Sequence, residues 1–484
     1  MGVPMRHLIS LGIAALSTVA FVAAAMPSAS ALPDSSVISA YSLAAPRSVS
    51  ASGIVTRAIV PVGADCPSIS VTGAGGRTWA VRMQVRPRPE RTDPAFEPLV
   101  VCSANMPVGA LTASIQGREV PAHMPQQVDR LAMFADSGCR ITGAQLQDCS
   151  DPDAWPLAKI SASIAAEAPD AIIFNGDFFY REAPCQQANQ PWCGGSPPPV
   201  AGMPFTDTAY SWLADVFMPM APLLASAPLI VTRGNHEACY RGGNGYFLYF
   251  DPQPDTWNTC APIMVDGVLT AAPTVPKPTH VIDLSVRPGR TLRLAIVDSA
   301  GGNDAVVDAF AEVQRPTYQR AADLTPRKAG RESWLLTHRP IYGYFSSEFA
   351  IPGQPLNPWL SADQAAAAYG LLGTYDLVFS SHVHLAEVVQ LPGLPPQLIL
   401  GNGGTLLDPP SGYPLPATGA PAGPGQTYPA PTSAWVEVRF GYVMATPGDK
   451  DGVWRMDMRD PNGQDFARCG LRASRMYCRT LAGD

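Results

Sequence analysis

Between residues 171 and 182 the chain reads AIIFNGDFFYRE. The apolar run Ala171–Phe174 has the length and branching of a buried strand, and it empties into Asn175-Gly176-Asp177, a polar turn that no core requires. A carboxylate at a strand end with a phenol three residues on, Tyr180, is an oxygen-rich pair suited to a hard, highly charged metal ion. Taken alone, the segment reads equally well as a turn followed by an aromatic core patch. Four further stretches repeat the arrangement and change that balance. LAMFADSGC places Asp136 after Leu131–Ala135, and PLIVTRGNHE places Asn235 and His236 after Leu229–Thr232. SWLLTHRP places His338 after Trp334–Thr337, and DLVFSSHVH places His382 and His384 after Leu377–Phe379. The chain has only seven histidines, and four of them stand at these ends.

Asp136, Asp177, Tyr180, Asn235, His338, His382 and His384 together make a seven-donor set of oxygen and nitrogen atoms. Two cations about 3.5–4 Å apart need a bridging carboxylate and roughly three further protein ligands each, which this inventory supplies. In an extended strand the H-x-H histidines would point to opposite faces, so both can serve one site only if the pair lies in a turn, which Ser380-Ser381 favours. Rival chemistries fare poorly. His236-Glu237 opens like a zincin H-E-x-x-H motif, but position 240 is Tyr. There is no G-x-S-x-G elbow and no phosphate-binding Walker loop.

Such donors need elements that bring distant residues together. After Arg130 strands and helices alternate: LAMFA, a helix over 154–168 with Leu157, Ile160, Ile164 and Ala168 on one face, DAIIF, a helix over 208–224, then PLIVT. That rhythm predicts a layered α/β domain whose parallel strands end along one edge. HVIDLSV and LRLAIVD read as adjacent strands, Ser361 to Gln364 has capping-box spacing before an Ala-rich helix, and the tail from 397 onward is expected to form a second sheet. Two long intervals, 183–205 and 240–280, leave from the donor-bearing turns and read as a disulfide-braced rim. Upstream, residues 1–31 read as a secretory signal peptide ending in Ala29-Ser30-Ala31, and 32–52 as a flexible lead-in. Short alternating runs over 53–125 predict a small N-terminal β-sandwich, with His123 an exposed linker residue and 126–484 the catalytic domain.

The 484-residue length admits two or three domains, and 46% hydrophobic content argues for a packed core. A net charge of −7 with pI near 5.5 excludes the basic surface that a nucleic-acid scaffold or an anionic membrane attracts. No segment after the first 31 residues is long and apolar enough to span a bilayer. For an exported chain the ten cysteines read as disulfides, and their spacing suggests, without fixing, the pairs Cys66–Cys102, Cys139–Cys149, Cys185–Cys193, Cys239–Cys260 and Cys469–Cys478.

In order, DSG (136–138), GDFFY (176–180), GNHE (234–237), HRPIY (338–342) and HVHLAE (382–387) resemble the blocks of the calcineurin-like metallophosphoesterases, and within them the purple acid phosphatases. The resemblance covers roughly 130–405 and implies a layered αββα sandwich. It also implies that Asp136, Asp177, Tyr180 and His384 hold one metal while Asn235, His338 and His382 hold the other, with Asp177 bridging. Tyr180 in that set implies Fe(III), with Zn, Mn or Fe(II) as the second ion, and His236 beside the metals would bind and act on substrate. Gly138 stands where other branches carry a ligand His; Ser381 and Ala386 depart from the usual Gly and aromatic. The expected reaction is hydrolysis of a small phosphomonoester: two cations lower the pKa of bound water from roughly 15.7 towards about 7, and the hydroxide attacks phosphorus in line. A phosphodiesterase acting on nucleotides or lipid head groups is the alternative enzyme, and a non-catalytic exported binding protein the alternative class. A secreted or periplasmic location follows from the leader.

Overall fold

The computed structural model describes residues 37–87, 93–142, 145–183, 185, 192–193, 207–253, 260, 263–265, 268–270, 273–343, 361–409, 419–423 and 425–481. The expected signal peptide, most of the 183–205 interval and the middle of the 240–280 interval lie outside the described residues.

Side-chain alternation builds the layers. Within Leu131–Phe134, Leu131 and Met133 enter one apolar cluster while Ala132 and Phe134 enter another; Ala171 and Ile173, and Ile172 and Phe174, divide in the same way. The first cluster also takes Leu292, Leu294, Trp334, Leu336, Leu377 and Phe379 from a second sheet, so it fills the space between two sheets. The other cluster takes Leu157, Ile160 and Ile164 of the helix Leu157–Ala166, together with Trp212 and Val216. On the outer face of the second sheet, Val297, Leu335 and Val378 pack on Tyr318 and Ala321 of the helix Phe310–Leu324 and on Ala365 and Ala368 of Ala362–Ala368. The result is the αββα sandwich.

In the eleven-stranded sheet, Leu131–Phe134, Ala171–Phe174 and Leu229–Val231 run parallel and in register, with Phe134 and Val231 both opposite Phe174. In the seven-stranded sheet Arg290–Val297, Arg331–Thr337, Leu377–Ser380 and Gln397–Leu400 are likewise parallel. Level registers matter here, because they bring the carboxyl ends of neighbouring strands to one height.

Several expectations change. Residues 39–44 are not a flexible lead-in but a buried strand, Ser39–Ala44, paired parallel to Leu229–Val231 through Leu43 and Leu229. Its SAYSLA composition looks loose, yet Tyr41 and Leu43 sit in the helix-side core, and Ser42 Oγ is satisfied at 3.1 Å from Thr56 Oγ1 and 2.7 Å from the Pro121 carbonyl. The N-terminal region does contain a β-sandwich, in which Ile69, Val71 and Ile115 of a four-stranded sheet pack on Ile54, Ala58 and Val60. Those last residues belong to Ile54–Pro61, a strand of the eleven-stranded sheet itself, so the N-terminal strands extend that layer instead of standing beside it. Apart from a two-stranded hairpin of Ala420–Gly423 and Gln426–Tyr428, the tail divides between the two large sheets: Ser433–Glu437 joins the second while Tyr442–Pro447 and Val453–Arg459 return to the first. The expected helix over 208–224 is broken into Ala209–Trp212, a π-type turn Leu213–Phe217 and Ala221–Ser226, as Pro219 and Pro222 remove backbone donors. The capping box does not form; Gln364 instead accepts from Tyr318 Oη at 2.8 Å and donates to the Gly301 carbonyl. The start of the 240–280 interval is a helix, Gly243–Tyr249. The ten cysteines form the five pairs that their spacing suggested. Among the described residues no helix is long and apolar enough to cross a membrane.

Candidate metal centre

Five strand ends deliver the donors. Asp136 follows Leu131–Phe134, Asp177 follows Ala171–Phe174, Asn235 follows Leu229–Val231, His338 abuts Arg331–Thr337, and His382 and His384 follow Leu377–Ser380. Asp136, Asp177 and His382 have φ of 55°, 57° and 75°, a left-handed backbone uncommon for residues with a side chain. Such strain persists where surrounding contacts impose it, and three of the seven candidate ligands carry it. The pair H-x-H lies in a bent turn, not a strand, so both rings can face one site.

Glycines permit the close approach of these turns. A Cβ on Gly138 would lie 2.6 Å from the Phe178 carbonyl, so the position where other branches carry a ligand His has no room for any side chain. One on Gly234 would lie 2.1 Å from Asp177 Oδ1. Across the two sheets Asn175 Nδ2 donates to the Thr337 carbonyl at 2.8 Å.

All seven predicted donors are buried and meet in two adjoining groups. In the first, Tyr180 Oη lies 2.9 Å from Asp136 Oδ1, 3.0 Å from Asp177 Oδ2 and 3.0 Å from His384 Nε2. In the second, Asn235 Oδ1 lies 2.8 Å from His338 Nε2 and 2.6 Å from His382 Nδ1. Asp177 Oδ2 touches both, being 3.0 Å from His338 Nε2 as well. Donor atoms of Asp177, His338 and His382 all lie within 4.8 Å of one another.

The donor set suits cations. Tyr180 has one proton for three facing acceptors. His384 Nδ1 faces the Asp408 carboxylate at 3.4 Å, which leaves the Nε2 lone pair directed at the phenol. His338 Nδ1 lies 2.9 Å from the Asn175 carbonyl and His382 Nε2 lies 3.3 Å from Asp304 Oδ2, so both rings turn lone pairs toward Asn235. Reversing the Asn235 amide would let Nδ2 donate to both histidines and to Asp177 while its oxygen accepts from Arg241. With the oxygen inward and the rings neutral, a cation among these donors would offset the crowding, as would a proton on His338. Proton affinities respond to the same crowding. Burial, with Asp136 and Asp177, pushes the Tyr180 phenol well above its usual range. Burial alone would lower His338, but the Asp177 carboxylate outweighs it and raises the ring to about 9; Asp408 similarly raises His384 to about 10.

His236 stands over this centre. Its ring centroid is 3.8 Å from that of Tyr180, its Nε2 is 3.9 Å from Asp177 Oδ2, and its backbone N–H donates to Asp177 Oδ1 at 2.8 Å. Nδ1 approaches Glu182 Oε1 to 2.8 Å, off the line of an ideal hydrogen bond, and Glu182 in turn holds Arg241 at 2.6 Å. Burial lowers His236 to about 4 against the pull of Glu182.

Sequence reasoning missed the supporting acids Glu182, Asp215, Glu237, Asp304 and Asp408. Glu237 accepts four backbone N–H groups, from Gly234, Asp177, Phe178 and Phe179, at 2.8–3.1 Å, and so clamps the Asp177 turn to the Asn235 turn. Asp215 accepts from Cys139 N, Tyr180 N and Arg181 Nε at 2.6–3.1 Å. Glu237 has a partial signal in its place within GNHE; the others sit outside every motif.

Residues 152–386 match the family model described as calcineurin-like phosphoesterase. No curated protein matches the chain. Among solved structures, the purple acid phosphatase PPD1 isolated from yellow lupin (Lupinus luteus) seeds aligns with a TM-score of 0.54 at 12% identity, over 91% of this chain and 74% of its own. PhoD aligns with a TM-score of 0.51 at 10% identity, over 94% of each chain. At such identities the likeness speaks to the fold. Residues 152–386 thus form a calcineurin-like phosphoesterase domain, in a chain whose fold resembles that of the purple acid phosphatase.

Proposed function

We propose that this chain is an exported binuclear-metal phosphoesterase that hydrolyses phosphomonoesters. The observation that carries the reading is the double group of donors joined by Asp177 Oδ2, 3.0 Å from Tyr180 Oη on one side and from His338 Nε2 on the other. Asp136, Asp177, Tyr180 and His384 would hold one ion, and Asn235, His338, His382 and Asp177 the second. When bound, such a pair neutralises phosphoryl oxygens and activates water for in-line attack. Tyr180 as a ligand favours Fe(III) in the first position, with Zn, Mn or Fe(II) in the second.

The protein's own groups do the rest. His236 is placed to bind the phosphoryl group and, when protonated against the lowering effect of its burial, to deliver a proton from Nε2 to the leaving oxygen, with Glu182 orienting the ring through Nδ1. Glu237 and Asp215 keep the two donor turns rigid. The five disulfides support an oxidising destination, in keeping with the leader.

Metal analysis of the purified chain should return two ions, and it should turn over an aryl phosphate faster than a bis-aryl phosphate. His236→Ala should keep both metals and lose about 10²–10⁴-fold in kcat. If iron is present, Tyr180→Phe should abolish a visible absorption band. Metals without hydrolysis of any phosphoester would overturn the enzymatic reading, and faster diester turnover would replace the monoester assignment.

A further inference from the structure

Arg140 is the unexplained cation of the centre. It is 8% exposed, its Nε has no partner, and among the described residues no carboxylate lies within ion-pair distance. The other buried arginines of the donor turns are each matched to an acid: Arg181 to Asp215, Arg233 to Asp298 and Arg339 to Asp304. Arg140 instead aims its Nη2 at the His384 ring, 3.3 Å from Nε2, and lays its guanidinium 4.9 Å from the centroid of the Tyr180 ring. Nη1 has one neutral acceptor, Gln145 Oε1 at 3.1 Å.

A buried guanidinium facing two candidate ligands of a cation is repelled by that cation, and neither a ring face nor an amide offsets a missing counter-charge. An anion shared between the guanidinium and the ions removes both penalties. The backbone that carries Arg140 is held on each side: Cys139 is bonded to Cys149 and donates its N–H to Asp215, while Ile141 N donates to the Tyr180 carbonyl at 3.0 Å. Arg140 N itself donates to Gln147 Oε1 at 2.9 Å. A fixed base under a charged fork is the design of a preorganised oxyanion receptor.

We propose that Arg140 is a phosphate-binding residue, its guanidinium engaging an oxygen of the phosphoryl group held at the metal pair. The proposal rests on the phosphoesterase reading above and adds a recognition residue to it.

The test is calorimetric titration of the metal-loaded full chain with inorganic phosphate, for wild type, Arg140→Gln and Arg140→Lys. Arg140→Gln should bind phosphate about ten- to a hundredfold more weakly, the range of a lost charge-assisted hydrogen bond, with KM for an aryl phosphate rising in parallel and metal content unchanged. Arg140→Lys keeps the charge and the stem against Tyr180 but not the fork, so it should fall between the two. It also serves where the glutamine variant does not fold. Phosphate affinity equal to wild type in a variant with full metal content overturns the proposal; so does loss of metal in both variants, which would make Arg140 a support for the ligands. Wild type that neither binds phosphate nor hydrolyses esters would instead overturn the reading of the site.

Discussion

At the scale of single residues, the centre separates donors that could face an ion from acids that aim those donors. Asp408 illustrates the second kind: Oδ2 accepts from His384 N at 2.8 Å, and Oδ1 faces Nδ1 at 3.4 Å, fixing which ring nitrogen turns inward. Asp408→Asn should therefore lower metal affinity by about 10–100-fold without unfolding the chain, as read by competition with a chelator. Unchanged affinity would show that packing alone orients His384. The donors were legible because each ends an apolar run, a pattern local enough to see along the chain. Asp304 and Asp408 were not, because what they do depends on lying within 3.4 Å of histidines 78 and 24 residues away in sequence. Ser381 departs from the family's Gly, and the structure supplies a use for it: Oγ donates to the Asn175 carbonyl at 2.7 Å and lies 2.9 Å from His338 Nδ1, beside the second group of donors.

Between residues and fold stand the turns, and their rigidity comes from two buried acids more than from the strands. Glu237 takes Gly234 N and Asp177 N on one oxygen, Phe178 N and Phe179 N on the other. Burial, and after it the Asp177 charge, push this carboxyl up to about 8, so its hold on four donors is bought against its own desolvation. Glu237→Gln swaps one acceptor oxygen for an NH₂ group and leaves two buried N–H groups facing it. The expected cost is about 2–6 kcal/mol, measurable by urea unfolding, with metal binding weakened as well. A loss below about 1 kcal/mol would mean that the strand registers alone hold the turns. Strands with plain periodicity were readable, as was the helix Leu157–Ala166 with its buried stripe. The stretch 208–224 misled because apolar spacing of 3.6 continues through Pro219 and Pro222, where the backbone cannot. Ser39–Ala44 misled for the opposite reason, since Tyr41 and Leu43 among small residues are too short a pattern to read until their neighbours are known.

For the whole molecule the composition change near residue 126 reads as a domain boundary, yet hydrogen bonding crosses it. Leu43 pairs with Leu229, Tyr41 Oη donates to the Tyr249 carbonyl at 2.8 Å, and Tyr41 and Leu43 share an apolar cluster with Phe134 and Phe174. Arg57 Nη2 donates to the Asp251 carbonyl at 3.0 Å and Arg86 Nη2 to the Phe247 carbonyl at 2.8 Å, so two buried cations from the N-terminal strands cap the end of the helix Gly243–Tyr249. That helix begins seven residues after His236, in the turn that carries Asn235. Sheet pairing over such separations leaves no trace in local periodicity, which is why two units were expected. Removing the strands before residue 126 would strip the edge of Leu229–Val231 and take Tyr41 Oη from the Tyr249 carbonyl and Arg57 from the Asp251 carbonyl. Hydrogen exchange should accordingly find Ile54–Pro61 and Leu131–Phe134 opening with the same free energy, in one cooperative unit. A lower-energy opening confined to the N-terminal strands, or a fragment from 126 onward that folds and keeps its metals, would instead make them a separable domain docked on a self-sufficient catalytic core.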